Sequence, residues 1–358
     1  MSSSKLKPLP PEHDLETRRV LKQLARANRA LAELKGFSST IPNKNILINA
    51  ITINEAKDSS EIEQILTTHD ELFKAISKDN YDNPAAKEVA NYRKALWHGY
   101  RLVRDEQILT TNMIVEIQGL VIKNRAGIRK LPGTVLQNDL TGEVIYTPPD
   151  NEQEIRALLS NLEEYMNNDF DTIDPLIKLG VIHYQFEAIH PFYDGNGRTG
   201  RIINVLYLVL KNLLDAPILY LSRHIIRTKS AYYKLLQKVT TDSSWEEWIL
   251  YILEGIEQTA EETLLLAKEI FETLELTSAE IKESLPSIYS RELLDLLFFE
   301  FYTKIAFIKD GLGVTRKTAS NYLSTLEQAG FLSSQKLGRE TIYRNERLFE
   351  IVKGFGTR

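Results

Sequence analysis

The amino-acid sequence predicts a mainly α protein: a helical bundle interrupted by one β-hairpin flap, followed by a small C-terminal winged helix-turn-helix domain. Three observations carry this. Apolar residues recur at helical spacing through most of the 358 residues. The pattern turns β-like only between Arg129 and Pro149. The last stretch reads as three helical runs followed by two β runs. A chain of this length holds two or three domains with a sizeable core.

After an extended arm with Pro8, Pro10 and Pro11, helical spacing runs from Leu15 to Leu34 and Gly36 offers a stop. A second run covers Ile46 to Ala56. A third is expected to open at Asp58-Ser59-Ser60, with Asp58 or Ser59 as N-cap and Glu61 and Glu63 behind it. Further helices are predicted over Ala85–Arg104 and Asn112–Lys123. The hairpin follows, with turns around Asn138-Asp139 and Thr141-Gly142, and Pro148-Pro149 closes it. Helical spacing resumes over Glu152–Tyr165 and Pro175–Ile189, breaks at a glycine-rich loop from Pro191 to Gly197, and continues from Arg198 to Leu214 and on to about Glu275. In the C-terminal part, helical runs at Ser290–Glu300, Lys304–Leu312 and Thr315–Gly330 precede a hairpin turning at Leu337-Gly338. The expected organisation is thus 1–104, 105–275 and 285–358.

Composition narrows the chemistry without naming it. The absence of cysteine removes disulfide scaffolds, cysteine-ligated zinc, iron–sulfur clusters and thiol catalysis. No apolar stretch is long enough for a bilayer span, and the first residues lack the apolar core of a signal peptide, so no membrane partner and a cytoplasmic setting are expected. A net charge of −5 opposes a general nucleic-acid coat.

The stretch His190-Pro-Phe-Tyr-Asp-Gly-Asn-Gly-Arg-Thr-Gly-Arg201 carries the chemistry. Gly195 and Gly197 let the backbone turn tightly enough for several N–H groups to converge on one anion. A helix opening near Arg198 adds its positive end to the same spot. Arg198 and Arg201 share one helical face and can clamp further phosphate oxygens. Asp194 beside such a cradle suits Mg²⁺, which commonly takes one carboxylate plus substrate phosphates. His190 suits proton abstraction near neutrality. Rival readings fit less well. Gly195 to Gly200 matches G-x-G-x-x-G, but a helix and His-Pro-Phe precede it where a strand should. A P-loop would need Lys-Ser/Thr where Arg201-Ile202 stands. Glu187-x-x-His190 lacks the second copy that a di-metal carboxylate site needs.

In every fixed position His190 to Arg201 matches H-x-F-x-(D/E)-G-N-G-R-x-x-R, and on this motif the chain resembles the Fic family. The upstream hairpin, Tyr232-Tyr233, the arm, the Ser59-Ser-Glu-Ile-Glu63 segment and the C-terminal unit are similar to long, N-terminally inhibited bacterial members. The resemblance implies AMP transfer from ATP to a Ser, Thr or Tyr hydroxyl of a target protein. Carried over, His190 is the catalytic base and Asp194 holds Mg²⁺. Gly195, Asn196 and Gly197 form the anion cradle, with Asn196 orienting the α-phosphate, and Thr199 and Gly200 continue the binding turn. Arg198 and Arg201 take the β- and γ-phosphates. Phe192 anchors the loop, Tyr232 and Tyr233 complete the nucleotide pocket, and the hairpin aligns the target by strand addition. The kinase-like branch has Lys for the first Arg; Arg198 keeps this chain with AMP transfer.

The resemblance also implies a brake. The segment near 58–66 resembles the inhibitory helix (S/T)-x-x-x-E-(G/N), with Ser59 and Glu63 on one face, Glu63 paired to Arg201, and Gln64 departing from the pattern. Self-modification, AMP removal and a homodimer accompany it as expectations. A different function class stays open: a DNA-binding regulator using Arg316, Lys317, Lys336, Arg339 and Arg344. Against it, the residues from Glu280 onward carry 12 Lys/Arg and 10 Asp/Glu, a thin excess for duplex binding.

Overall fold

The computed structural model describes residues 6–72, 83–137, 144–168, 172–337 and 340–355. In chain order its helices are α1 Arg18–Thr40, α2 Lys44–Ile62, α3 Pro84–Glu106, α4 Thr111–Ile122, α5 Glu152–Asn167, α6 Pro175–Ile189, α7 Asn196–Leu210, α8 Leu221–Arg227, α9 Lys229–Asp242 and α10 Trp245–Ser284. The hairpin strands β1 Leu136–Gln137 and β2 Val144–Tyr146 lie between α4 and α5. The C-terminal unit comprises α11 Arg291–Phe299, β3 Tyr302–Lys304, α12 Ile305–Leu312, α13 Arg316–Gln328, β4 Leu332–Leu337, β5 Glu340–Asn345 and α14 Glu346–Phe355. The hairpin turns expected at Asn138-Asp139 and Thr141-Gly142, and Gly338 and Arg339 of the second hairpin, lie outside the described residues. Among the described residues no helix is long and apolar enough to cross a membrane.

Helix α6 is the axis of the bundle. Asp174 caps its N-terminus by accepting from Leu176 N at 2.8 Å, Pro175 fits the first turn, and every residue from Leu176 to Ile189 is buried. Helices α5, α7 and α10 pack around it, and the Trp248 indole of α10 donates to the Gly180 carbonyl at 2.8 Å. At 40 residues α10 spans about 60 Å. It runs past the expected end near Glu275 and joins the bundle to the C-terminal unit. Buried apolar residues from Leu9 to Val352 form one contiguous cluster.

Three helical expectations need correction. Helix α1 continues through Gly36 to Thr40, because Phe37 meets Phe271 edge-on at 6.4 Å and Ser38 is buried. No helix begins at Asp58: α2 runs unbroken from Lys44 to Ile62, Glu63 is its C-cap, and Gln64 turns left-handed (φ 63°). Asp58 and Ser59 resemble capping residues in sequence, but tertiary partners take their side chains: the Tyr220 hydroxyl donates to Asp58 and the Arg201 guanidinium to Ser59. In the C-terminal unit the three expected helices and two strands are joined by β3, which pairs with β5, and by α14; the antiparallel order is β3-β5-β4.

Helix α2 is enclosed on both sides. Facing the bundle, the buried Glu55 carboxylate accepts from Tyr92 Oη at 2.8 Å, from Ser222 N at 3.0 Å and from Ser222 Oγ. Facing the C-terminal unit, Asn49 donates to the Phe299 carbonyl at 2.9 Å and Asn54 to the Val352 carbonyl at 3.4 Å. Beside this seam Arg93 pairs with Glu300 at 2.8 Å. Glu55→Ala strands three buried donors, so urea denaturation should show a loss of about 2–3 kcal/mol.

Candidate active site

The loop from His190 to Gly195 joins the C-terminus of α6 to the N-terminus of α7. His190 is the C-cap of α6 in the left-handed region (φ 48°, ψ 58°). Gly195, at φ 79°, is the N-cap of α7 and offers no side chain to its first N–H groups. Phe192 is fully buried, its ring 6.3 Å from that of Phe186. The Asn196 amide bridges the loop, accepting from Phe192 N at 2.9 Å and donating to Phe192 O at 2.8 Å. Its side chain therefore braces the loop, and its backbone N–H is what it can offer an anion.

Arg201 is 2% exposed and fully engaged from α2. Its Nε donates to Ser59 Oγ at 2.7 Å, and one terminal nitrogen donates to Ser59 O at 2.7 Å and to Glu63 Oε1 at 2.9 Å. Glu63 Oε1 also lies over Gly197, only 2.4 Å from where a Cβ would stand. A negative oxygen thus occupies the mouth of α7, where backbone donors and the helix dipole favour it. Burial pushes the Glu63 carboxyl up, but Arg201, with Arg198 and Lys229 beyond it, outweighs this and holds it below its ordinary value. Burial likewise opposes the Arg201 charge, and Glu63 outweighs it, so Arg201 stays protonated.

Arg198 bridges Glu88 of α3 at 2.8 Å and Asp194 at 3.3 Å. Asp194 is 69% exposed, with one oxygen accepting from Gly195 N. Among the described residues no three His, Cys, Asp or Glu side chains gather as a metal cluster. One open carboxylate beside an anion cradle fits Mg²⁺ held jointly with substrate phosphates, and fits no all-protein metal centre. Thr199 is buried with its N–H on the Gly195 carbonyl at 2.9 Å, and Gly200 leaves room for the Glu187 carboxyl, 2.3 Å from where its Cβ would be.

Two expected pocket tyrosines part company. Tyr232 is 2% exposed and accepts or donates at 2.9 Å with Nε2 of the buried His183, so it supports the site from the core. Tyr233 is 45% exposed and is the ring that can face a ligand. Sequence reasoning missed three charged residues. Lys229 donates to the Ile62 carbonyl at 2.6 Å and so caps α2; Glu88 engages Arg198; and Arg129, fully buried, donates from Nε to the His190 carbonyl at 2.8 Å. Lys229 could have been suspected three residues before Tyr232. Nothing in the sequence marks Glu88 or Arg129.

His190 has Nδ1 enclosed by the protein, which leaves Nε2 as its working nitrogen. Burial, reinforced by the Arg129 charge, lowers its pKa from 6.5 to about 4, against the opposing pull of the Glu187 carbonyl, Glu63 and Asp194. The ring is therefore a neutral proton acceptor throughout the physiological range. Between the two values an unfolded chain takes up a proton that the folded one refuses, so this group costs stability as pH falls through 6.5 towards 4. In the ligand-free protein, NMR titration of the His190 ring should show its midpoint near 4; a midpoint at the ordinary value would contradict this burial.

Family models match on either side of this loop: Fic/DOC family N-terminal over residues 21–101, and protein adenylyltransferase SoFic-like, C-terminal domain, over residues 273–348. A "Probable protein adenylyltransferase" of Aquifex aeolicus is 28% identical over 192 residues, 51% of this chain and 56% of its own length. A protein adenylyltransferase of Caenorhabditis elegans is 30% identical over 92 residues, 25% of this chain and 17% of its own length. The chain thus spans about half or less of these relatives. A Fic family protein of Desulfovibrio desulfuricans has a like fold, with TM-score 0.57 at 16% identity over 95% of this chain and 98% of that one. A Fic domain protein of Bacteroides thetaiotaomicron gives 0.56 at 18% identity over 68% and 96%. Family models of Fic proteins thus match on both flanks of a loop that carries the motif in every fixed position, and the chain is similar to the Fic family in both sequence and fold.

Proposed function

We propose that the protein is an adenylyltransferase that moves AMP from ATP to a hydroxyl side chain of a target protein, itself included, and that Glu63 restrains it. The observation that carries this is the Glu63 carboxylate, seated on Arg201 over Gly197 at the N-terminus of α7. An anionic oxygen is held where a terminal phosphate of ATP would be bound. The names of the relatives from Aquifex aeolicus and Caenorhabditis elegans support the class of reaction.

In this reading the first N–H groups of α7, at Asn196 and Gly197, receive the α- and β-phosphates, and Arg198 and Arg201 take the charge that departs. His190 Nε2 accepts the proton of the target hydroxyl as that oxygen bonds to the α-phosphorus, and the bond to the β-phosphate bridging oxygen breaks to release pyrophosphate. Asp194 would hold Mg²⁺, whose charge offsets that of the departing group. Tyr233 faces the nucleotide, and the hairpin between Arg129 and Pro149 aligns the target strand. Residues 1–104 act as the regulatory part, 105–275 as the catalytic body and 285–358 as a winged helix unit. ATP as substrate suits a cytoplasmic setting.

The restraint is competition for one guanidinium. While Glu63 occupies Arg201, ATP is denied the seat for its last phosphate. Labelled-ATP incorporation should rise about tenfold or more in Glu63→Gly, the factor for about 1.4 kcal/mol of relieved competition, and should vanish in His190→Ala. Equal labelling in wild type and Glu63→Gly would remove the restraint from the account.

A second reading takes the C-terminal unit as a winged helix; the order α11-β3-α12-α13-β4-β5 supports it, as do Arg316 and Lys317, exposed at the start of α13. A DNA-binding role would shift mixed duplex fragments in a low-salt gel, and the absence of any shift at micromolar protein would dispose of it.

A further inference from the structure

Among the buried cations of the described residues, Lys178 meets the Asn168 carbonyl at 2.9 Å and lies over the Tyr165 ring, and Arg129 reaches three backbone carbonyls at once. Arg93, Arg198, Arg201 and Arg223 each meet a carboxylate. Arg129 has no exposed surface, and its guanidinium donates to the carbonyls of His190 at 2.8 Å, Ile189 at 3.4 Å and Pro149. Its backbone N–H donates to the Pro191 carbonyl at 2.9 Å. These carbonyls belong to two places. Ile189, His190 and Pro191 form the end of α6, where helix carbonyls run out of partners and a positive charge is favoured. Pro149 is the far foot of the hairpin, and Arg129 itself is the near foot.

Two further bonds tie the same parts. Tyr146 of β2 donates from Oη to the Ala188 carbonyl at 3.0 Å. Tyr193, inside the catalytic loop, accepts at its hydroxyl from Lys130 N at 3.0 Å and Leu131 N at 3.3 Å. The hairpin feet and the loop bearing His190 are thereby one hydrogen-bonded piece, with a buried guanidinium at its centre. A planar fork reaches several carbonyls at once, which an ammonium on a flexible stem does not reproduce. His190 also needs such a hold, since a non-glycine residue in the left-handed region persists only where its surroundings enforce it.

Resting on the adenylyltransferase reading, we propose that Arg129 is a positioning residue for the transfer: it locks the His190 backbone and fixes both feet of the target-aligning hairpin to it, so that base and acceptor hydroxyl keep one geometry. ATP does not depend on Arg129 for its binding. The loss on substitution therefore falls on turnover, and nucleotide affinity stays as it was.

The test uses Arg129→Lys and Arg129→Ala in the full chain carrying Glu63→Gly, with ATP affinity by calorimetry and self-labelling by radiolabelled ATP. Self-labelling should fall about tenfold in Arg129→Lys and about 100-fold in Arg129→Ala, with ATP affinity within about twofold of the parent. Methylguanidinium should restore part of the rate in Arg129→Ala and none in Arg129→Lys, which leaves no matching cavity. An unchanged rate, or a rate loss matched by an equal loss of ATP affinity, overturns the proposal. Amide exchange supplies an arm that needs no activity and survives if the alanine variant does not fold. In Arg129→Lys residues 130–137 and 190–195 should lose protection together, and loss confined to one segment overturns the coupling. No labelling in the Glu63→Gly parent would instead sink the adenylyltransferase reading, so the two failures are told apart.

Discussion

A single buried guanidinium organises this protein. Arg201 is carried by the central helix pair into a place with almost no water, and a charge there persists only with partners. Among the described residues the bundle around α6 and α7 provides no carboxylate bonded to it; α2 and its C-cap provide Ser59 and Glu63. The fold therefore has to bring residues from the N-terminal third of the chain against the catalytic loop. In doing so it places a carboxylate over the same helix mouth that the glycines open for phosphate. Under the proposed function, stability of the resting site and access for nucleotide draw on one set of donors.

That dependence explains the enclosure of α2. Its face towards the bundle carries Glu55, Ser59 and Glu63 at four-residue steps: Glu55 is bonded to α3 and α8, and Ser59 and Glu63 are both bonded to Arg201 of α7. Its other side is bonded to α11 and α14 of the C-terminal unit through Asn49 and Asn54. Glu63 sits at the free end of this clamped helix, 35% exposed and held there by Arg201, while Lys229 closes the last helical carbonyls. Release of the carboxylate needs only the final turn to give way, whereas release of the whole helix needs the C-terminal unit to part from it. The long α10 connects that unit to the bundle core as well, so both ends of the chain bear on one loop.

Much of this was legible in the sequence because local signals and tertiary need coincide there. Asp174-Pro175 starts α6 where its cap and its ring constraint both say so, and Gly195-Asn-Gly197 marks the open helix mouth because only glycine tolerates the turn and the close oxygen. Glu63 and Arg201 pair as expected, and Ser59, on the same face, joins them at Arg201. Other features were hidden because their local signal points elsewhere. Asp58-Ser59-Ser60 has the look of a helix start, yet it lies within α2 because Tyr220 and Arg201 take the side chains that would have capped. Tyr232 and Tyr233 are adjacent on α9 and their rings meet edge-on at 5.0 Å, yet one is in the core and one exposed. Asn196 has an amide suited to an anion, and the loop uses it for itself. Arg129 has no local signature, since the carbonyls that need it come from Pro149 and from the end of α6.

In the proposed restraint Glu63 and the end of the ATP polyphosphate compete for Arg201, and calorimetric affinities for ATP and AMP in wild type and Glu63→Ala measure that competition. AMP does not reach the contested seat, so its affinity should be the same in both proteins. ATP should bind the variant about tenfold or more tightly than it binds wild type. Equal ATP affinities in the two proteins, or a gain shared by AMP, would contradict the account.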